Sequence, residues 1–279
     1  MKENNLKMLL VILLVCLAIA LVGFMILLLT NHKMNFIFFR TKGESKIILE
    51  ETYPINDIQK IIVNASISDI KILASETDNA RVVIYGEEKD NASSILENHT
   101  LTISNSKKNK ICFGFCFWGK EEVLVYLPKN EIDAIELKSV SGDIEVSNTP
   151  NASLEVKTTS GEIKLSNVQD VTINTTSGDI LVDSCKNASM HTVSGDVIIG
   201  SVGDSVDIVT TSGEVKITDF ICKNNSNIKT VSGDVSISQL QDAYVEAKTI
   251  SGDIKTDGSN RYANNTLTIK TTSGDINVK

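Results

Sequence analysis

Eight carboxylates recur on one pattern in this chain. Ser-Gly followed by an acid begins at Ser141, Ser160, Ser177, Ser194, Ser212, Ser232, Ser251 and Ser273, at intervals of 19, 17, 17, 18, 20, 19 and 22 residues. The acids are Asp143, Glu162, Asp179, Asp196, Glu214, Asp234, Asp253 and Asp275. If the repeats stack, these carboxylates lie about 5 Å apart and repel one another unless something compensates them. Calcium bridging between coils is one relief, and Asp143, Asp179, Asp196, Asp234, Asp253 and Asp275 are the residues that would hold it. The other is that each acid caps backbone N–H groups of its own turn, or lies in solvent beside the lysines. The motif carries one carboxylate per turn and lacks the second glycine and spaced acids of known calcium-binding β-rolls, so the capping role is the expectation and no metal or cofactor is assigned.

The serine hydroxyls invite a second question, that of nucleophilic catalysis. A serine nucleophile needs an adjacent base, yet the chain has only His32, His99 and His191, and no histidine accompanies each repeat. His191 falls between the inward positions Met190 and Thr192, so its parity turns it to solvent. The uniform coils also lack the clustered acids and bases of a polysaccharide-cleaving site. The chain is therefore expected to be non-enzymatic.

A third group of reactive residues sits in the segment 111–119, which holds the only Trp. Phe113, Phe115, Phe117 and Trp118 make either an exposed interaction hairpin or a cap on the first coil, and Cys112 and Cys116 could close a small disulfide if this part of the chain is outside the cell. Cys185 and Cys222 fall two coils apart, about 10 Å along a stack, too far for a bridge; both are expected as buried small hydrophobes.

The elements that position these residues emerge when the repeats are aligned on the serine. Six residues earlier stand Ile135, Leu154, Val171, Ala188, Val206, Ser226, Val245 and Leu267; four earlier stand Leu137, Val156, Ile173, Met190, Ile208, Ile228, Ala247 and Ile269. Two earlier the residue is Thr in every repeat but the first, which has Ser139; these hydroxyls are expected to form a ladder from coil to coil. Three after the serine the residue is always Ile or Val. Each repeat thus holds two short period-two strands, and their parity slips by one at the Ser-Gly step. The glycines Gly142, Gly161, Gly178, Gly195, Gly213, Gly233, Gly252 and Gly274 are suited to the bend required there, because only glycine takes positive φ without a Cβ clash. A further apolar column eight after the serine (Val168, Cys185, Val202, Phe220, Leu240) marks a second corner.

A unit of this length cannot bury its own apolar face, but stacked coils build a continuous interior. A propeller needs periods near 40 residues, and a sandwich does not hold identical residues at fixed offsets. The expectation is an all-β chain, a single-stranded β-helix or β-solenoid of about eight regular coils over 131–279. Irregular N-terminal β coils precede them over 46–130, where Ser66 to Ile72 resembles a repeat lacking glycine. Because no residue follows the last repeat beyond Lys279, its coil is expected to expose an edge through which copies of the chain could associate.

From Met8 to Leu29 runs an uncharged stretch that as a helix spans roughly 33 Å, so 8–30 is expected to be one uncleaved transmembrane α-helix between a short tail, 1–7, and a linker, 31–45. Lys2 and Lys7 precede it while Lys33, Arg40, Lys42 and Lys46 follow, a bias that alone favours the reverse of an outside location; large C-terminal domains translocate regardless of such charge. A net charge of −8 disfavours nucleic acid as a partner.

The repeated Thr-x-Ser-Gly-Asp-Ile/Val, preceded by Leu127-Pro128 and the Ile135-x-Leu137 strand, resembles the bacterial putative-adhesin family of SGD-type β-strand-repeat domains over residues 46–279. The resemblance implies an extracytoplasmic β-solenoid without catalytic residues, some of whose relatives are associated with Lia-type envelope-stress signalling in Gram-positive bacteria. The chain is accordingly expected in the cell membrane as a single-pass protein with 31–279 outside, acting as a binding or adhesion module for an unknown protein, peptide or glycan. The alternative is a component that senses envelope stress or antimicrobial peptides and acts on a membrane signalling partner.

Overall fold

The computed structural model describes residues 45–87, 92–105, 121–128 and 132–279. The expected membrane segment 8–30 and the aromatic insert 111–119, with Phe113, Phe115, Phe117, Trp118, Cys112 and Cys116, lie outside the described residues. Among the described residues no helix is long and apolar enough to cross a membrane.

The strands are β1 (Lys46–Pro54), β2 (Lys60–Ala65), β3 (Asp69–Ser75), β4 (Asn79–Gly86), β5 (Ala92–Glu97), β6 (Thr100–Asn105), β7 (Glu122–Pro128), β8 (Ala134–Lys138) and β9 (Ile144–Lys157). They continue with β10 (Ile163–Asn174), β11 (Ile180–His191), β12 (Val197–Val209), β13 (Val215–Ile221), β14 (Ser226–Lys229) and β15 (Val235–Gln241). The last are β16 (Ala243–Lys248), β17 (Ile254–Thr256), β18 (Asn265–Lys270) and β19 (Ile276–Val278).

Residues before each Ser-Gly build one wall of the coil and residues after it build the other. Strands β9 to β12 serve both walls, each turning a corner between the second wall of one coil and the first wall of the next; bulges interrupt the register at Val168/Asp170 and Cys185/Asn187. Pairing between coils is parallel and in register, so like residues stack: Ile163 on Ile144 and Ile180, Ile173 on Val156 and Met190. Leu137, Val156, Ile173, Met190 and Ile208 before the motif, and Ile144, Ile163, Ile180, Val197 and Val215 after it, are at most 1% exposed. Burial of each such side chain stabilises the stack by about 1.5–3 kcal/mol. The second-corner residues Val168, Cys185, Val202 and Phe220 complete the interior.

The Ser-Gly step is where the two walls meet. All eight motif glycines have φ between 120° and 155°. A Cβ on Gly178 would also come within 2.1 Å of the carbonyl oxygen of Gly161, and one on Gly195 within 2.3 Å of that of Gly178. The glycines therefore stack backbone on backbone, and Ser68 stands beneath Gly142 at the start of the column.

The threonines do not form the hydroxyl ladder expected of them. Thr158, Thr175, Thr192 and Thr210 each donate to the carbonyl of the serine two residues on, at 3.0 to 3.2 Å. In these four the bend turns that carbonyl toward the side chain, and a local partner leaves nothing to donate to the next coil; Thr249 and Thr271 instead donate to the neighbouring coil's Gly274 (3.1 Å) and Gly233 (3.4 Å) carbonyls, not to another hydroxyl.

At both ends the spatial order of coils departs from chain order. In the first wall β2 lies between β6 and β8, and in the second wall β3 lies between β7 and β9. Likewise β18 is inserted between β14 and β16, and β19 between β15 and β17. The exposed edge at this end therefore belongs to the Ser251 coil and not, as its place in the sequence suggests, to the last repeat. Composition explains the exchange. The last repeat points Leu267, Ile269, Ile276 and Val278 inward, all at most 1% exposed, whereas the Ser251 coil offers Val245, Ala247, Ile254 and Thr256. The more apolar coil takes the covered place.

The other end is closed. β4 adds antiparallel to β7, β1 to β4, and β5 to β6. The Tyr53 hydroxyl joins β1 to β5 through the Ser94 carbonyl (3.0 Å) and hydroxyl (2.8 Å).

Candidate functional site

Period-two strands with an apolar interior must turn their alternate residues outward, and parallel in-register stacking sorts those residues into columns. On the first wall the outward columns lie seven, five and three residues before the serine. Across the central coils they carry mainly small polar side chains, with two carboxylates among them: Asp170, Thr172 and Asn174 on β10, Asn187, Ser189 and His191 on β11, Ser205, Asp207 and the apolar Val209 on β12. The Asn187 amide donates to Asp170 Oδ1 (2.7 Å), and the Ser205 hydroxyl donates to Asn187 Oδ1 (2.8 Å), a polar ladder across three coils. A cleft of about 360 Å³ runs beside that ladder, and one of about 280 Å³ lies between Asn174, Thr176, His191 and Val193. A third, of about 450 Å³, is bordered by Tyr244, Glu246, Lys248, Thr268 and Lys270 at the open end.

On either side of these central coils the charges are arranged unequally. Toward the closed end, Glu136 accepts from Lys60 at 2.6 Å and Lys138 at 3.2 Å, and Lys157 pairs with Glu155. The hydrogen bonds from Lys60 and Lys138 hold the Glu136 carboxyl below its ordinary range, and the hydrogen bond to Glu155 raises Lys157. Toward the open end, Lys229, Lys270 and Lys248 occupy the same column in register and are exposed. Sequence reasoning passed over these lysines although each stands three residues before its serine; the signal was there once the repeats were aligned, but the adjacency of Lys229 and Lys270 depends on the exchanged coil order.

The acidic column lies past the corner on the second wall. Each aspartate that has a further coil beyond it caps that coil's turn instead of its own. Asp69 Oδ1 accepts from Asp143 N (3.1 Å), Asp143 from Glu162 N (2.9 Å), Asp179 from Asp196 N (3.0 Å) and Asp196 from Glu214 N (2.8 Å). Asp234 accepts from Asp275 N and Asp275 from Asp253 N, both at 2.8 Å. Where the acid is glutamate the extra methylene carries the carboxylate elsewhere: Glu162 pairs with Lys164 at 2.6 Å, and Glu214 accepts from the Ser236 hydroxyl at 3.4 Å. Among the described residues no group of three or more His, Cys, Asp or Glu side chains is placed to hold a metal ion.

Other residues singled out by sequence are placed as follows. His191 is exposed on the first wall. Cys185 and Cys222 are buried free thiols. Burial, with the charge of Asp170 adding to it, pushes the Cys185 thiol up to about 12, so it carries no thiolate at neutral pH. Burial also raises Cys222, against the hydrogen bond it makes to Ser226.

Residues 58–279 match the model of the family described as Toastrack DUF4097. No curated protein matches the chain. Among solved structures, the chain is similar to a putative adhesin of Bacteroides fragilis (15% identity, 86% of this chain and 100% of that one, TM-score 0.47). It is similar also to a putative adhesin of Parabacteroides distasonis (13% identity, 88% and 100%, TM-score 0.42) and to a putative lipid binding protein of the same species (12% identity, 88% and 100%, TM-score 0.35).

Proposed function

The chain belongs to the Toastrack DUF4097 family, and on that premise we propose that it is a non-catalytic binding module of the bacterial cell surface, held in the membrane by residues 8–30 with 31–279 outside. The observation that carries the reading is the outer face of the first wall. Its hydroxyls and amides repeat at the spacing of neighbouring strands, about 4.8 Å, beside shallow clefts. A rigid face of evenly spaced donors and acceptors suits an extended ligand better than a small one, which is held by an enclosing pocket. Protein, peptide and glycan chains all have that extended form.

Two measurements test the reading together. Protease added to intact cells should remove 31–279, and the full-length protein should bind purified envelope fragments with at least tenfold loss on Thr172→Arg combined with Ser189→Arg. Protection from protease, or binding unchanged by the double substitution, sinks it. The sensing alternative draws on the acidic column, whose sign suits cationic peptides; a deletion strain with unaltered peptide sensitivity and envelope-stress response would remove it.

A further inference from the structure

One outward column of the first wall is compensated at one end and not at the other. Lys138 and Lys157 each have a glutamate two residues earlier on the same strand, Glu136 and Glu155, and pair with it. At the corresponding positions Lys229 and Lys270 have Asn227 and Thr268. Lys248 has Glu246, but among the described residues none of these three lysines forms an ion pair. Pairing places Lys229 beside Lys270 and Lys270 beside Lys248, with neighbouring strands about 4.8 Å apart. Like charges directly opposite on adjacent strands are destabilising. In a chain of net charge −8, three exposed and unpaired ammonium groups in one line are a local reversal of sign.

We propose that the Lys229–Lys270–Lys248 column binds a linear polymer bearing phosphate groups. The proposal rests on the binding-module reading and names the ligand class for this part of the face. Three groups in a row match the repeated charges of a chain. The geometry favours such a chain over an anionic bilayer. The acidic column of Asp234, Asp275 and Asp253 runs parallel to the lysines just past the corner. A flat anionic surface pressed on the corner would meet both columns, while a narrow chain can lie along the lysines alone. Between the columns stands a ridge of Val231, Thr272 and Ile250, of which Ile250 is 78% exposed, and it can bound such a chain on the acidic side. Glu246, beside Lys248, and Asp207, on the strand next to Lys229 and hydrogen-bonded by the Asn227 amide (2.8 Å), are the carboxylates of the same outward face at this end. At the open end the track meets the cleft bordered by Lys248, Lys270 and Tyr244, which Ile254 and Thr256 of the second wall also line.

The test uses the full-length protein and fluorescent long-chain inorganic polyphosphate as the probe, with binding read by anisotropy across a salt series. Each lysine engaged releases counterions, so the slope of log affinity on log salt should lie at about −2 to −3. The triple variant Lys229→Gln, Lys270→Gln, Lys248→Gln should bind at least tenfold more weakly with a slope near zero, while Lys138→Gln with Lys157→Gln should bind as wild type. No binding by wild type, an unaffected triple variant, or equal loss in the Lys138/Lys157 variant overturns the assignment. Binding to phosphatidylglycerol vesicles without binding to polyphosphate overturns it in favour of a membrane. If polyphosphate binding fails while binding to envelope fragments still depends on Thr172 and Ser189, the lysine assignment falls and the binding-module reading stands.

Discussion

The two ends of the coil stack solve one problem in different ways. At each end a coil is inserted out of chain order, β2 and β3 inside β6 and β7, β18 and β19 inside β16 and β17. Beyond that shared device the ends part. The N-terminal end is covered by β1, β4 and β5, and Val82 and Ile84 of β4, both fully buried, close the apolar interior. Among the described residues no strand covers the C-terminal end. It is weakened on purpose by composition, with Ala247 and Thr256 at inward positions and Lys248 on the edge strand. The loop after β17 also reaches back, Ser259 Oγ accepting from Val245 N (3.0 Å) and Asn260 N donating to the Ala243 carbonyl (2.9 Å). A stack end can thus be protected by a lid or by a poor interior and an occupied edge.

The largest effect should come from removing the inserted coil. Deleting 265–279 takes away the shared partner of β14 and β16 and of β15 and β17, together with roughly 6–12 kcal/mol of burial at Leu267, Ile269, Ile276 and Val278. Limited proteolysis with mass spectrometry should find new cuts between 226 and 264. Deleting β1, which strips only the outermost strand of the lid, should leave coils from β8 onward resistant. Equal resistance in the two truncated chains would break the contrast between insertion and lid.

A smaller effect separates covered from open coils at one repeat position. Ile180 and Ile254 both stand three residues after the serine, 0% and 43% exposed. Ile180→Ala should cost about 2–5 kcal/mol in a urea titration, and Ile254→Ala under about 1 kcal/mol. If Ile254→Ala costs as much as Ile180→Ala, the open end is covered in solution, and the concentration dependence of the effect would tell whether the cover is a second copy.

Much of this was legible in the sequence, because a stacked repeat writes its interior as columns. Ile173 and Val197 could be turned inward by offset from the serine, and Ser68 could be recognised as standing in for a glycine. The coil order could not. Offsets describe one coil, while the choice between the Ser251 and Ser273 coils for the covered place is a competition between Ala247 with Thr256 and Ile269 with Val278, which period-two patterning does not weigh. The threonine hydroxyls were misplaced for a related reason: the carbonyl that Thr175 reaches is that of Ser177 in its own turn, a detail of the bend that column offsets do not carry. The candidate face was harder still, since it consists of residues with no motif, and Lys229 and Lys270 are 41 positions apart in a chain that sets them side by side.

The lysine column itself supplies the finest version of the contrast. The Glu136 carboxyl is held below its ordinary value of 4.5, first by the hydrogen bond from Lys60 and then by that from Lys138. A group whose folded value is depressed stabilises the fold above its unfolded value and loses that contribution as pH falls through the folded one. Glu136→Gln should therefore lower stability at neutral pH by under about 1 kcal/mol, because the pair is partly exposed, and wild type and variant should converge on acidification below 4.5. Lys270→Gln should do the reverse at neutral pH, raising the urea midpoint slightly by relieving repulsion from Lys229 and Lys248. A destabilisation by Lys270→Gln as large as that by Glu136→Gln would mean that Lys270 has a carboxylate partner in the folded protein, and the two ends of the column would then be alike.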